Sequence, residues 1–364
     1  MADATLTATL LPAMGRGEPL TLSAPVSPRL VANVATLQDV FVTWSLHKEL
    51  MRGMEPVFRR VQVDAPTRCA EPPSSSDRRV AAFFSGGLDS LYTACRHRHE
   101  EPTLVFAHGL DVPLAAPALR GRVIEGVRRA AAALDLPLIE VATDLRTFSD
   151  TDVDWLDAHG AALATIAHLL APQFGRFYVP ASESYATLRP LGSHPLVDPL
   201  WASERIELVH DGLEANRLDK LRAVADEPAA HTGLRVCVRP EGDAYNCGTC
   251  WKCTLTIVGL RVLDLDEKFT SIPHVDDTVL LHRLARPAPE LEHRSWERHR
   301  IRWDPYVSAA PPELRGRLRR ALTLGFARVE AARWSRRARA ATRRGLSEVT
   351  SRTRARPGPT EAAP

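Results

Sequence analysis

The sequence predicts an α/β protein built on a doubly wound parallel sheet. Three observations carry this. Short apolar runs at Val80–Phe84, Thr103–His108, Leu138–Ala142 and Arg176–Pro180 alternate with stretches of helical periodicity at Ser90–Arg98, Pro117–Leu134 and Trp155–Leu170. The runs lack a polar face, as strands covered by helices on both sides do. Strand and helix succeed one another singly, which calls for parallel crossovers and not hairpins. The strands then end at Ser85–Asp89, His108–Asp111, Thr143–Arg146 and Ala181–Ser184, the edge at which such sheets bind ligands.

Each segment can be justified in chain order. Residues 1–64 read as a small α/β unit: "EPLTLSAPV" as a strand, "SPRLVANVATLQDVFVTW" as a helix, and "VFRRVQVDA" as a half-buried strand. In the helix, Ser27 is the cap, Pro28 the first residue, and Leu30, Val34, Leu37 and Phe41 form one face. Residues 65–79, rich in Pro and Ser, read as a linker. Residues 80–266 hold the alternating core. Residues 267–348 read as a helical extension ending in a basic helix, and 349–364 as a disordered tail.

The net charge of +3 hides an asymmetry. From Glu313 onward there are 14 arginines, no lysine and 4 acidic residues, a charge of +10, which leaves −7 for the rest. The basic tail has one tryptophan, Trp334, and none of the interleaved aromatics of a base-stacking surface. It reads as solvated arginine in preference to a nucleic-acid or anionic-membrane surface. No apolar run approaches the ~20 residues of a membrane span. The N-terminus carries Asp3 and no basic start, which argues against a signal peptide. Four of six cysteines fall within 17 residues, a pattern of metal binding in a reducing compartment, so a cytoplasmic location is expected.

The stretch "AAFFSGGLDSLYTA" places Gly86 and Gly87 where a strand passes into a helix. Glycine lets the backbone approach a ligand, and the helix start directs free N–H groups and a partial positive charge at it. Together these suit a phosphate. Ser85 and Ser90 add hydroxyls, and Asp89 suits a metal, a ribose or a backbone amide. The plainer reading is a βα turn capped by Asp89 or Ser90. Ser-Gly-Gly-Leu-Asp-Ser in this setting resembles the PP-loop of the N-type ATP pyrophosphatases. That resemblance implies the HUP-type sheet, and it implies that Ser85, Gly86, Gly87, Asp89 and Ser90 bind ATP with Mg²⁺. It further implies that Asp89 and Ser90 take part in adenylation of a substrate oxygen with release of pyrophosphate.

Cys237, Cys247, Cys250 and Cys253 are spaced C-x9-C-x2-C-x2-C. Two-residue gaps let neighbouring thiolates converge on one ion, and four thiolates suit tetrahedral Zn²⁺. An iron–sulfur cluster is the competing occupant. Gly248 fits the tight turn between ligands. This segment, followed by a Leu-rich helix, is similar to the zinc segment of the 7-cyano-7-deazaguanine synthase family, with the likeness covering roughly Val80–Leu265. "HGLDVPL" and "VPASESYATLRPLGSHPLVDPLW" stand where that family has its own signature residues.

Other candidates follow from the strand ends. His108 is assigned an adenosine or substrate contact. Arg146 is assigned a carboxylate or phosphate and a catalytic role. Ser182 and Glu183 are assigned to the substrate pocket, with His194 and Asp198 in a loop able to close it. His159 and His168 read as ordinary helix residues, and Lys220 as a surface lysine. Cys69 and Cys95 are not placed like the thiols of sulfur-transfer enzymes. The expected function is an ATP-dependent ligase that adenylates a small-molecule carboxylate or amide oxygen for attack by ammonia or an amine. A tRNA-modifying sulfurtransferase and a non-catalytic nucleotide-binding protein are the alternatives. A homodimer is allowed for, though no residue specifies one.

Overall fold

A computed structural model describes residues 1–52, 57–69, 79–238, 244–286 and 296–354. They divide into two compact units, Met1–His274 and Val275–Pro364.

The first unit is organised by five parallel strands: β3 (Arg79–Phe83), β4 (Thr103–His108), β5 (Leu138–Ala142), β6 (Phe174–Pro180) and β7 (Glu207–Asp211), in the order β5-β4-β3-β6-β7. The chain runs outward from β3 through β4 to β5, then returns to the other side of β3 for β6 and β7. The order therefore reverses between β3 and β6, which opens a crevice beyond their carboxyl ends. Ala81 and Ala82 are fully buried at the sheet centre, and both register with β4 and with β6.

Helices cover this sheet. α3 (Leu88–Arg96) and α4 (Pro117–Leu134) follow β3 and β4. α5 (Leu145–Ser149) and α6 (Trp155–Leu170) lead into β6. α7 (Arg217–Ala223) packs on α3, and α8 (Pro228–Gly233) on α4. The β4, β5, α4 and α6 bounds are those read from the sequence. α3 begins two residues earlier than expected, so Asp89 and Ser90 lie inside its first turn. β7 was not expected at all.

The N-terminal residues differ most from expectation. The two strands there shrink to β1 (Leu20–Thr21) and β2 (Val63–Asp64), paired in parallel, with α2 (Pro28–Arg52) between them. An unforeseen helix, α1 (Ala2–Arg16), lies on α6. Its Leu6, Leu10, Leu11 and Met14 are fully buried in the same core as Phe174 and Phe177 of β6. Asp3 accepts from Arg68 at 2.9 and 2.7 Å and from the Ser27 amide at 2.8 Å, which ties the helix start to the strand region. Most of the expected linker, residues 70–78, lies outside the described residues.

The cysteine segment precedes α9 (Trp251–Val262). The second unit is helical: α10 (Asp277–Ala285) and α11 (Trp296–Ala309) both pack on α12 (Pro312–Arg354). α12 runs into the tail expected to lack order from 349, and residues 355–364 lie outside the described residues. Among the described residues, no helix is long and apolar enough to cross a membrane.

Candidate functional site

The turn after β3 has the backbone its glycines allow. Gly86 sits at φ +71°, a conformation L side chains rarely adopt. Gly87 precedes α3 as an extended residue, and no side chain caps the helix. Instead the Ser85 hydroxyl accepts from the Gly87 amide (3.3 Å), and the Ser90 hydroxyl donates to the Gly87 carbonyl (3.0 Å) while accepting from the Ser85 amide (3.3 Å). Neither Asp89 nor Ser90 is the cap of a plain turn. The first turn of α3 thus lacks a side-chain cap for its amides.

Lys220 corrects the sequence reading most sharply. It is no surface lysine, being 2% exposed, and its Nζ donates to Asp89 Oδ1 (3.0 Å) and to the Ala181 carbonyl (2.6 Å). Arg217 lies 3.7 Å from the other Asp89 oxygen and donates to Thr256 of α9 (3.2 Å). Burial by itself would raise the Asp89 carboxyl, but Lys220, Arg217 and Lys252 together hold it below the usual carboxylate range. Burial, with Arg217 nearby, pushes the Lys252 ammonium down. Three cationic side chains and one carboxylate thus meet at an uncapped helix start. Arg217 and Lys252 were not singled out from the sequence. Each is one cation among 47, and only the fold brings them to Asp89.

The four cysteines converge as expected. Their sulfurs all lie within 4.8 Å of one another, and Cys247 and Cys253 are 3.9 Å apart. A tetrahedral zinc–thiolate site has sulfurs about 3.8 Å apart, given bonds of about 2.3 Å. The group could hold a metal ion such as zinc. The hydrogen bond from the Cys253 thiol pulls Cys250 down to about 4 against burial, so one thiolate is already favoured. Gly248 takes φ +68° in the turn, and a side chain there would crowd Pro273. Buried Asn246 clips the loop segments of the site together. Its Oδ1 accepts from the Val236 (2.8 Å) and Cys237 (3.2 Å) amides, and its Nδ2 donates to the Leu234 and Ser271 carbonyls, both at 2.9 Å. The same segment reaches the glycine turn, where the Arg235 amide donates to the Gly86 carbonyl at 2.9 Å.

The remaining candidates divide into two groups. Ser182 and Glu183 line a small pocket with Leu188, Arg189, Ser193, His194 and His210 at the ends of β6 and β7. Asp198 lies directly behind it, bonded to Ser193 and His210. His108 and Arg146 instead have internal partners. His108 bonds Glu140 (3.1 Å), which also accepts from Arg128. Arg146 pairs with Asp150, donates to the Leu110 carbonyl (3.0 Å) and stacks on Trp155. His159 and His168 lie in α6, as read from the sequence. Cys95 is pushed up to about 12 by burial, and Cys69 is exposed. Comparison with protein-family models, with curated proteins and with solved structures returned no match.

Proposed function

We propose that this protein is an ATP-dependent ligase of the PP-loop ATP pyrophosphatase type. It adenylates a small-molecule carboxylate or amide oxygen, releases pyrophosphate and passes the activated group to ammonia or an amine. One observation carries the reading. At the point where strand order reverses, an uncapped helix N-terminus and a left-handed glycine turn meet Arg217, Lys220 and Lys252, with Asp89 between them and Asp111 near Lys252. That excess of positive charge and free amides matches a polyphosphate.

In this reading the amides of Gly86 to Ser90 and the ammonium of Lys220 bind the outer phosphates. They stabilise the charge that gathers on the departing pyrophosphate. Asp89 is the carboxylate that would hold Mg²⁺, which supplies further neutralisation there. The four-cysteine site, with zinc as its fitting occupant, holds Arg235 against the glycine turn through Cys237 and Asn246. Its part is structural, because all four ligands come from the protein and no position stays open. The raised thiol of Cys95 weighs against the sulfurtransferase alternative, since the thiolate is the nucleophile.

The test is product analysis. Purified protein is incubated with ATP, Mg²⁺, ammonium chloride and a panel of small carboxylates that includes carboxylated 7-deazapurines. AMP and pyrophosphate are expected, with Lys220→Met reducing turnover at least tenfold. ADP with inorganic phosphate would reject the chemistry, and an absence of turnover across the panel would favour the non-catalytic nucleotide-binding alternative.

A further inference from the structure

The pocket at the ends of β6 and β7 contains a carboxylate–imidazole pair that the glycine turn does not require. Asp198 is 2% exposed and enclosed by donors. Its Oδ2 accepts from the Ser193 hydroxyl and from His210 Nδ1, each at 2.7 Å, and its Oδ1 accepts from the His194 amide at 3.2 Å. An ionised carboxylate accepts and does not donate, so it fixes His210 as the tautomer protonated at Nδ1. Nε2 of His210 makes no hydrogen bond among the described residues, and His210 lines the pocket. A buried acid behind one ring nitrogen with the other left toward a cavity is the arrangement of an oriented proton acceptor.

The surroundings support the same assignment. Ser193 is placed by α6, because His159 Nε2 accepts from the Ser193 amide (3.2 Å) and His159 Nδ1 donates to the Trp155 carbonyl (3.2 Å). The neighbouring Gly192 amide donates to the Leu156 carbonyl at 2.7 Å. The other ionisable groups around the pocket are His194, whose Nδ1 accepts from the Leu196 amide, and Glu183, paired with Arg189 at 3.0 Å. The pocket is linked to the glycine turn through one side chain: Ala181, which precedes Ser182, accepts from Lys220, the partner of Asp89. Its free space suits a molecule about the size of water. Ammonia has that size and suits an imidazole acceptor.

We propose that this pocket is the ammonia subsite and that His210, held by the positioning residue Asp198, accepts the proton released when ammonia attacks. The proposal rests on the adenylating reading given above. The nitrogen lone pair forms the C–N bond to the adenylated carbon, which makes the nitrogen acidic. The C–O bond to AMP breaks with its electron pair remaining on the phosphate oxygen. The proton leaves nitrogen for His210 Nε2, and the imidazolium is stabilised by Asp198.

The test is ¹⁵N NMR of the full-length protein labelled at histidine, with His210 assigned by the signal lost in His210→Gln. The expected result is an Nδ1–H tautomer whose Nε2 resonance moves with ammonium chloride and not with equimolar potassium chloride, since potassium has no proton to donate. Asp198→Asn is expected to invert the tautomer and abolish the ammonium response. Ser193→Ala, which keeps the His–Asp bond, is expected to preserve both. An Nε2–H tautomer in the parent protein, or equal shifts with the two salts, would overturn the proposal. The measurement uses no ATP, so its failure is distinct from failure of the nucleotide reading, which is scored by ATP binding and AMP release.

Discussion

The behaviour of Asp89 and Lys220 sets the terms for single residues. A buried ammonium is tolerable only when paired, and Lys220 has no carboxylate other than half-buried Asp89 within bonding distance among the described residues. Asp89→Ala should therefore destabilise the protein by about 3–5 kcal/mol, because it leaves a buried ammonium uncompensated. The double variant Asp89→Asn, Lys220→Met should recover part of that loss. The sign of the pH dependence follows from the lowered Asp89 carboxyl. A carboxylate depressed in the folded state contributes in full above its ordinary range, and the contribution disappears as pH falls through its lowered value. The difference between parent and Asp89→Ala in urea unfolding should thus be full at neutral pH and shrink in acid. An unchanged difference would show that the pair does not carry the effect. None of this was legible from the residue itself. Asp89 and Lys220 are 131 positions apart, and a lone lysine in a polar stretch gives no sign of burial until its partner is located.

At the scale of elements, legibility followed the source of each element's stability. β4, β5, α4 and α6 could be bounded from the sequence because their apolar residues recur at strand or helix period. α1 could not, since it contains Pro12 and three threonines, which lower its intrinsic preference for helix. It forms because Leu6, Leu10, Leu11 and Met14 find α6, and Thr7 bonds Thr165 at 2.9 Å. Leu10→Ala should cost about 2–5 kcal/mol, measured by thermal or urea unfolding, as for a packed core leucine. β7 was missed because Glu207, His210 and Asp211 interrupt its apolar pattern. As a sheet-edge strand it needs only a partial apolar face, and it delivers His210 to the pocket. The cysteine segment was the reverse case, since spacing alone gave its geometry. What spacing did not give was Asn246, whose side chain satisfies two buried amides, the buried Leu234 carbonyl and the part-buried Ser271 carbonyl. Asn246→Ala should weaken metal binding by about 10–100-fold in a chelator competition, the range for residues that orient ligands from behind. Retention of parental affinity would show that the cysteines hold their geometry unaided.

Across the whole molecule, the sheet and the cysteine site serve one place. β3 ends at the glycine turn, β6 and β7 end at the histidine pocket, and the segment Gly233–Cys237 links the turn to the metal site. Fold class was readable because alternating strands and helices have few packings. The cationic cluster was not, because it is assembled from α3, α7 and α9, which are distant in sequence. The proposed function depends on what the turn between β3 and α3 binds. A crystal structure with a non-hydrolysable ATP analogue and Mg²⁺ tests this most directly. The outer phosphates are expected on the amides of Gly86 to Ser90, within reach of Arg217 and Lys220. A triphosphate seated elsewhere, with that turn unliganded, would contradict it.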